Sequence, residues 1–227
     1  MTTIVLERLK SLADEEYKAF QTKLIPNISA DTILGVRLPA IRAVAKEMST
    51  EEKQVFLQSL PHTYLDENLL HGAIIEREKN FFRAVALVEE FLPYVDNWAV
   101  SDMFSPACFA KHLDELYEIA CKWTQSDRLY TVRYGILCFK RYFLGDAFKP
   151  KTLEIVSRIH GEYYLNMAAA WFFAEAVTKN PEFAMPYFEQ RKLDADVMKK
   201  AVRKSLDSFR VPQDTKEYLK SLLRNSQ

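Results

Sequence analysis

Asp102 and Arg133 are the residues of this chain most suited to chemistry, because an internal repeat gives them the same slot in successive copies. Segments beginning Asp66-Glu67-Asn68, Asp96-Asn97-Trp98, Asp127-Arg128-Leu129, Glu162-Tyr163-Tyr164 and Asp194-Ala195-Asp196 start 30, 31, 35 and 32 residues apart. Each opens on an acidic residue and continues as an apolar-periodic helix. Asp102 and Arg133 both lie six residues after their segment's first residue. A period in this range marks a helical solenoid, in which equal offsets line one face. A carboxylate and a guanidinium are therefore expected as neighbours on one wall, with Trp98 four positions before Asp102 on the same helical face and Trp171 further along the chain.

Each of these residues has two readings. Asp102 is a first-turn carboxylate satisfied by backbone donors, with Trp98 in the core, or it is a group held for reaction. Arg133, in the mostly apolar run Tyr130-Thr131-Val132-Arg133-Tyr134-Gly135, needs a partner to be stable. That partner is Asp102 in a structural ion pair, or a ligand. Trp171 follows Ala168-Ala169-Ala170, so it is either a core indole beside closely packed helices or an indole above an open floor.

The elements that must position these groups read as helices throughout. Val5, Leu6, Leu9 and Leu12 mark a first helix, and Tyr17, Phe20 and Leu24 mark a second that ends before Pro26-Asn27. Leu34-Gly35-Val36-Arg37-Leu38-Pro39 is a break, with Pro39 placed to open a helix over 39–48. Thr50 followed by Glu51 and Glu52 reads as a cap and an acidic first turn, opening a helix to Leu60. Further helices are expected over 66–79, 81–92, 97–104, 108–125, 128–144, 151–159, 162–179, 182–190, 194–208 and 213–224, with prolines at or near their joints. No strand pattern of useful length occurs. The fold class is all-α, one domain over 1–227, with N-terminal helices in 1–60 and repeats in 61–227.

Composition narrows the function. The 227 residues hold only 5 Gly and no Gly-rich phosphate loop, which argues against P-loop nucleotide hydrolysis. Cys108, Cys121 and Cys138 form no CxxC and read as reduced thiols. His62, His71, His112 and His160 have no metal-ligand spacing, so no metal and no cofactor are expected. Neither a signal peptide nor a run of about 18 apolar residues is visible, and a cytoplasmic protein is expected. The net charge is zero. Residues 1–113 nonetheless carry 12 Lys+Arg against 16 Asp+Glu, a balance of −4, and residues 114–227 carry 19 against 15, a balance of +4. An anionic partner suits the second half.

Lys199, Lys200, Arg203 and Lys204 sharpen that point. Spacing of four sets 199 beside 203 and 200 beside 204, and residues 191–210 hold 7 basic against 3 acidic side chains. The stripe is a solvated face or a grip on a phosphate backbone.

Four elements, in order along essentially the whole chain, resemble the bacterial DNA alkylation-repair glycosylases built of HEAT-like repeats (the AlkD type). They are Leu34-Gly35-Val36 with Pro39 and Arg42, Asp96-Asn97-Trp98-Ala99-Val100-Ser101-Asp102 with Ser105-Pro106, the Ser126-Asp127 to Arg133 helix, and the Ala170-Trp171 helix ending Thr178-Lys179-Asn180-Pro181. The resemblance implies a C-shaped, right-handed superhelical solenoid whose concave basic face holds duplex DNA containing alkylated bases, engaged by a monomer. It implies hydrolysis of the N-glycosidic bond of cationic purines such as 3-methyladenine and 7-methylguanine. Carried over, Asp102 matches the catalytic carboxylate, Trp98 and Trp171 the tryptophans facing the deoxyribose, and Arg133 the cleft arginine. Lys179, Lys199, Lys200, Arg203 and Lys204 are the candidate DNA-binding cations. A cationic base is already a good leaving group, so help is needed by the developing oxocarbenium sugar and the incoming water. A carboxylate and indole faces supply it. The chain departs from the family's best-known members in having Asn97 where they have a second tryptophan. A catalytically silent DNA-binding solenoid and a protein scaffold are the alternative functions.

Overall fold

The computed structural model describes the backbone of residues 2–224 and the side chains of residues 4–224. Among these residues every regular element is a helix, and the one strand-like feature is an isolated bridge between Ala13 and Val36. The chain divides into two compact units, residues 1–112 and 113–227.

The first unit holds α1 (Thr2–Ser11), α2 (Glu15–Leu24), α3 (Leu38–Glu47), α4 (Thr50–Leu57), α5 (Leu65–Ile75), α6 (Phe81–Phe91) and α7 (Trp98–Met103), with short 3-10 turns at Ala30–Thr32, Leu92–Tyr94 and Ala107–Lys111. The second holds α8 (Leu113–Trp123), α9 (Leu129–Tyr142), α10 (Lys151–Ser157), α11 (Tyr163–Lys179), α12 (Pro181–Glu189), α13 (Ala195–Asp207) and α14 (Gln213–Arg224).

Alternate helices stack within each unit. In the first, α5 packs against both α3 and α7; in the second, α11 packs against both α9 and α13. The middle helix of the first row is enclosed. All eleven residues of α5 are buried, including Asp66, Glu67, Asn68 and His71. A helix covered all round is apolar or must satisfy every polar group it carries. Asp66 does so by accepting hydrogen bonds from the backbone N–H of Leu34 (2.7 Å) and Val36 (2.7 Å). Burial pushes its carboxyl up, while those N–H donors and that of Gly35 pull it down. The break at 34–38 is thereby pinned to α5. Gly35 adopts φ +87°, and a Cβ there would lie 2.5 Å from the Asp14 carbonyl oxygen, so no other residue fits this turn. Gly135 plays the corresponding part in the second unit: a Cβ would meet Thr124 Cγ2 at 2.8 Å, so its absence lets α9 close on the end of α8.

Several expected boundaries shift: the helix expected over 66–79 ends at Ile75 and the one expected to Leu60 ends at Leu57, and two further shifts have a visible cause. The helix expected over 108–125 is broken at His112, which leaves helical geometry (φ −135°, ψ 52°) to stack its ring on Phe81 at 4.5 Å. Tertiary packing overrides the helical pattern there. The cap of α4 is Ser49, one residue before the expected Thr50, in a capping box: its hydroxyl accepts from Glu52 N–H (3.1 Å) and Glu52 accepts from Ser49 N–H (2.7 Å). No helix of the described residues is long and apolar enough to cross a membrane, and none of their His, Cys, Asp and Glu side chains cluster in threes as metal ligands would. The three cysteines are free thiols, and burial pushes Cys138 up to about 12.

His62 and His71 hydrogen-bond through Nε2 and Nδ1 at 2.9 Å. His71 stacks on Phe91 at 4.1 Å and His62 on Phe56 at 4.5 Å. Burial lowers His62 to about 4, and burial together with His62 lowers His71 to about 3. An unfolded imidazole titrates near 6.5, so below that pH the unfolded chain takes up protons that the folded chain refuses. The stability of the first unit is therefore expected to fall as pH drops from 6.5 toward 4, by up to about 1.4 kcal/mol per pH unit for each ring. Urea unfolding at stepped pH should show this slope in the wild type and a shallower one in His71→Phe; equal slopes would refute the assignment.

Candidate functional site

Asn97 sets the geometry around Asp102. It is 1% exposed, and its backbone is extended (φ −150°, ψ 159°) as an N-cap requires. Its Oδ1 accepts from Val100 N–H at 3.1 Å, and its Nδ2 donates to Asp96 Oδ1 at 2.8 Å. The helix α7 therefore starts at Trp98, whose indole N–H donates to the Leu24 carbonyl at 3.3 Å. Trp98 and Asp102 are i and i+4 on six-residue α7, and so share a face. The reading of Asp102 as a first-turn carboxylate does not hold, because it is the fifth of those six residues and belongs to the last turn. The helix dipole there disfavours an anion. Asp102 is half-buried and accepts a hydrogen bond from the Ser101 hydroxyl at 2.8 Å; that hydroxyl also lies 3.3 Å from the Trp98 carbonyl.

In the second unit Arg133 is 5% exposed on α9, and its Nη1 donates to the Tyr164 carbonyl on α11 at 2.7 Å. A charge-assisted bond to a backbone oxygen is one way a buried guanidinium is tolerated. Trp171 is no core indole. It is 39% exposed, with the Lys140 ammonium 2.8 Å from its ring centroid and that of Lys204 at 5.8 Å. Burial lowers Lys204, the Arg133 guanidinium lowers it further, and Asp207 opposes them. Arg133, Lys204, Lys140 and Trp171 thus form one neighbourhood of cations around an indole.

The expected basic stripe divides into two rows. Lys200 and Lys204 face the aromatic rings: Lys200 lies 5.3 Å from the Tyr163 ring centroid and is ion-paired with Asp196, which also accepts from Asn166 Nδ2 at 2.7 Å. The Lys200 ammonium and the Asn166 amide together hold Asp196 below the usual carboxylate range. Lys199 and Arg203 are exposed, and Lys199 lines a different depression with Arg191, Met198 and Arg224. Lys179 is paired with Glu175 at 3.3 Å. Burial alone would raise Glu175, but the forked Arg210 bonds at 3.1 and 2.6 Å, with Lys179, hold it below its ordinary value. Glu175 and Arg210 line an open depression of about 270 Å³ with Trp171, Lys204 and Asp207.

Sequence reasoning missed Lys140, Asn97, Ser101, Glu175 and Arg210. Lys140 lies seven residues after Arg133, two helical turns along one face, and that spacing was a readable signal. Arg210 lies beyond the end of α13, where helical spacing gives no guidance.

One test addresses the N-cap. Asn97→Ala should cost about 1 kcal/mol, read as a lower denaturation midpoint at unchanged m-value, with Asn97→Ser recovering part of it. An unchanged midpoint in the alanine variant would show that α7 does not depend on this cap.

A family model described as DNA alkylation repair enzyme matches residues 5–207. No curated protein matches the chain.

Proposed function

We propose that this chain, which belongs to the DNA alkylation repair enzyme family, is a DNA glycosylase of the AlkD type that excises cationic alkylated purines, 3-methyladenine and 7-methylguanine among them, from duplex DNA. The C1′–N bond breaks with its electron pair leaving on the already cationic base. Water's oxygen bonds to C1′, and its proton passes to the carboxylate and on to solvent. Asp102 is assigned the stabilisation of the developing oxocarbenium charge and the orientation of that water. Trp98 and Trp171 are assigned the faces of the deoxyribose, and Arg133 the backbone beside the lesion. Lys179, Lys199, Lys200, Arg203 and Lys204 are assigned phosphate contacts. The reaction as written uses no metal or cofactor.

The observation that carries this reading is the placement of Asp102: a half-buried carboxylate in the last turn of α7, on the same face as Trp98. The cations around Trp171 support a phosphate-bearing ligand. Stacking of alternate helices within each unit supports HEAT-like repeats, and one array over 1–227 acting as a monomer in the cytoplasm is part of the proposal.

Purified protein should release methylated purines from methylated duplex DNA, and Asp102→Asn should lower the rate on the order of 10²–10³-fold, the scale of losing one transition-state stabiliser. Folded protein in excess that releases nothing above spontaneous depurination would rule out the glycosylase and leave the silent DNA binder. Binding should weaken with salt, and Arg203→Ala should reduce the slope of log K against log salt by about one. Lys200→Ala should reduce it less, because Lys200 is already paired with Asp196.

A further inference from the structure

We propose that Phe209, at the tip of the turn between α13 and α14, is a DNA-contacting residue whose ring stacks on an unpaired nucleobase; the identity of this partner rests on the glycosylase reading above. Phe209 is fully exposed, at 103% of its reference surface, and the next most exposed large hydrophobic side chain among the described residues is Phe82 at 71%. The turn that carries it is tied down on both sides. Before the ring, the Ser208 N–H donates to the Ser205 carbonyl at 3.3 Å, and the Ser208 hydroxyl oxygen accepts from the Arg210 N–H at 3.3 Å. After it, the Arg210 guanidinium forks onto Glu175 of α11 at 3.1 and 2.6 Å, and Val211 is buried.

The neighbours of Phe209 are thus anchored to α13 and α11 while the ring between them stays in water. A phenyl ring left in water forgoes the stabilisation that burial would give it. A surface that covers Phe209 gains what folding did not. The surroundings select that surface. Ser208 and Arg210 line the depression that also holds Trp171, Lys204, Glu175 and Asp207, so Phe209 stands at its rim. Lys140 and Lys204 lie over the Trp171 ring, and Lys179 and Arg210 pair with Glu175. Cations therefore outnumber carboxylates here.

A protein-docking surface is built on a contiguous apolar patch, and Phe209 is a lone ring between a serine and an arginine. One aromatic ring among cations is the combination that holds a nucleic-acid strand, with phosphates on the cations and a base on the ring. Bases inside an intact duplex are already stacked on both faces, so a ring that takes one needs a base out of its pair. The reaction proposed above makes such a base. Hydrolysis removes a purine and leaves the base opposite it without a partner, beside the indole assigned to the sugar. The family match ends at residue 207, so Phe209 and Arg210 lie in a part of the chain that the match does not cover.

The test measures binding of the full chain to a duplex carrying a tetrahydrofuran abasic analogue opposite 2-aminopurine, which presents an unpaired base and nothing to excise. The fully paired duplex of the same sequence is the comparison. Phe209→Ala and Phe209→Leu should each weaken binding to the abasic duplex about fivefold or more and leave the paired duplex unchanged, while Phe209→Tyr binds as the wild type does. The ring carries no charge, so the slope of log K against log salt should be the same in Phe209→Ala as in the wild type. The 2-aminopurine fluorescence should be quenched by the wild type and less so by Phe209→Ala. A ring this exposed makes no packing contribution, and the variants should keep the wild-type denaturation midpoint. Equal loss on both duplexes, full affinity in the leucine variant, or no loss in any variant would each overturn the proposal; the last would leave Phe209 to a protein partner. The two readings fail separately. A protein that releases methylated bases whatever stands at 209, with no loss of abasic-duplex binding, keeps its glycosylase assignment and loses this contact. One that shows the Phe209-dependent binding yet releases no base keeps the contact and loses the glycosylase.

Discussion

Asp66 sits fully buried in the middle of the first unit, and its carboxylate is satisfied by backbone N–H groups 30 and 32 residues earlier in the chain. The second unit uses the same device. Asn166 donates to Asp196 across 30 residues, and Arg133 donates to the Tyr164 carbonyl across 31. These separations match the spacing of the acidic segment starts in the sequence. A helix enclosed on all sides cannot leave a polar group unpaired without losing on the order of 1–3 kcal/mol for each. The neighbouring row supplies the partner, and the offset of one row from the next is fixed by that pairing. Apolar packing among alanines and glycines brings the helices close, but it would tolerate sliding by a turn. The polar pairs do not, because a slip leaves the buried member, Asp66, Asn166 or Arg133, unsatisfied.

This constraint also explains why the charged residues separate into two kinds. Asp66, Glu67 and Arg133 are enclosed by the helices that stack on them. Lys199 and Arg203 face outward and are available to a polyanion. Lys140, Lys200 and Lys204 lie between these extremes, each over an aromatic ring. An ammonium over an indole or phenol is held by the ring's quadrupole without being neutralised. Lys200 is in addition paired with Asp196, so a ring and a carboxylate share its charge.

Much of the fold was legible because its helices are amphipathic or enclosed with regular spacing: the observed ends of α3, α6, α9, α11 and α13 fall within two residues of the expected ones. The break at His112 was not legible, since it answers to Phe81, more than thirty residues away in sequence. Nor was the true cap of α7. Asp96 opens the repeat in sequence, yet Asn97 caps the helix, and α7 ends at Met103, so Asp102 falls in its last turn. The family match supports the alkylation-repair role read from the sequence. The residue-level roles at Asp102, Trp98, Trp171 and Arg133 came from motif positions. Spacing along one helix could not report which cation covers Trp171, because Lys140 and Lys204 come from different helices.

The electrostatics of Asp102 and Trp171 share a logic under the glycosylase reading. Asp102 sits in the last turn of α7, and the Ser101 hydroxyl donates to it. The carboxylate interacts more favourably with a cationic sugar than with a neutral one. Trp171 presents the converse case. The Lys140 ammonium lies over its ring and that of Lys204 stands farther off, so the electron-rich indole already faces positive charge, as a ring quadrupole favours.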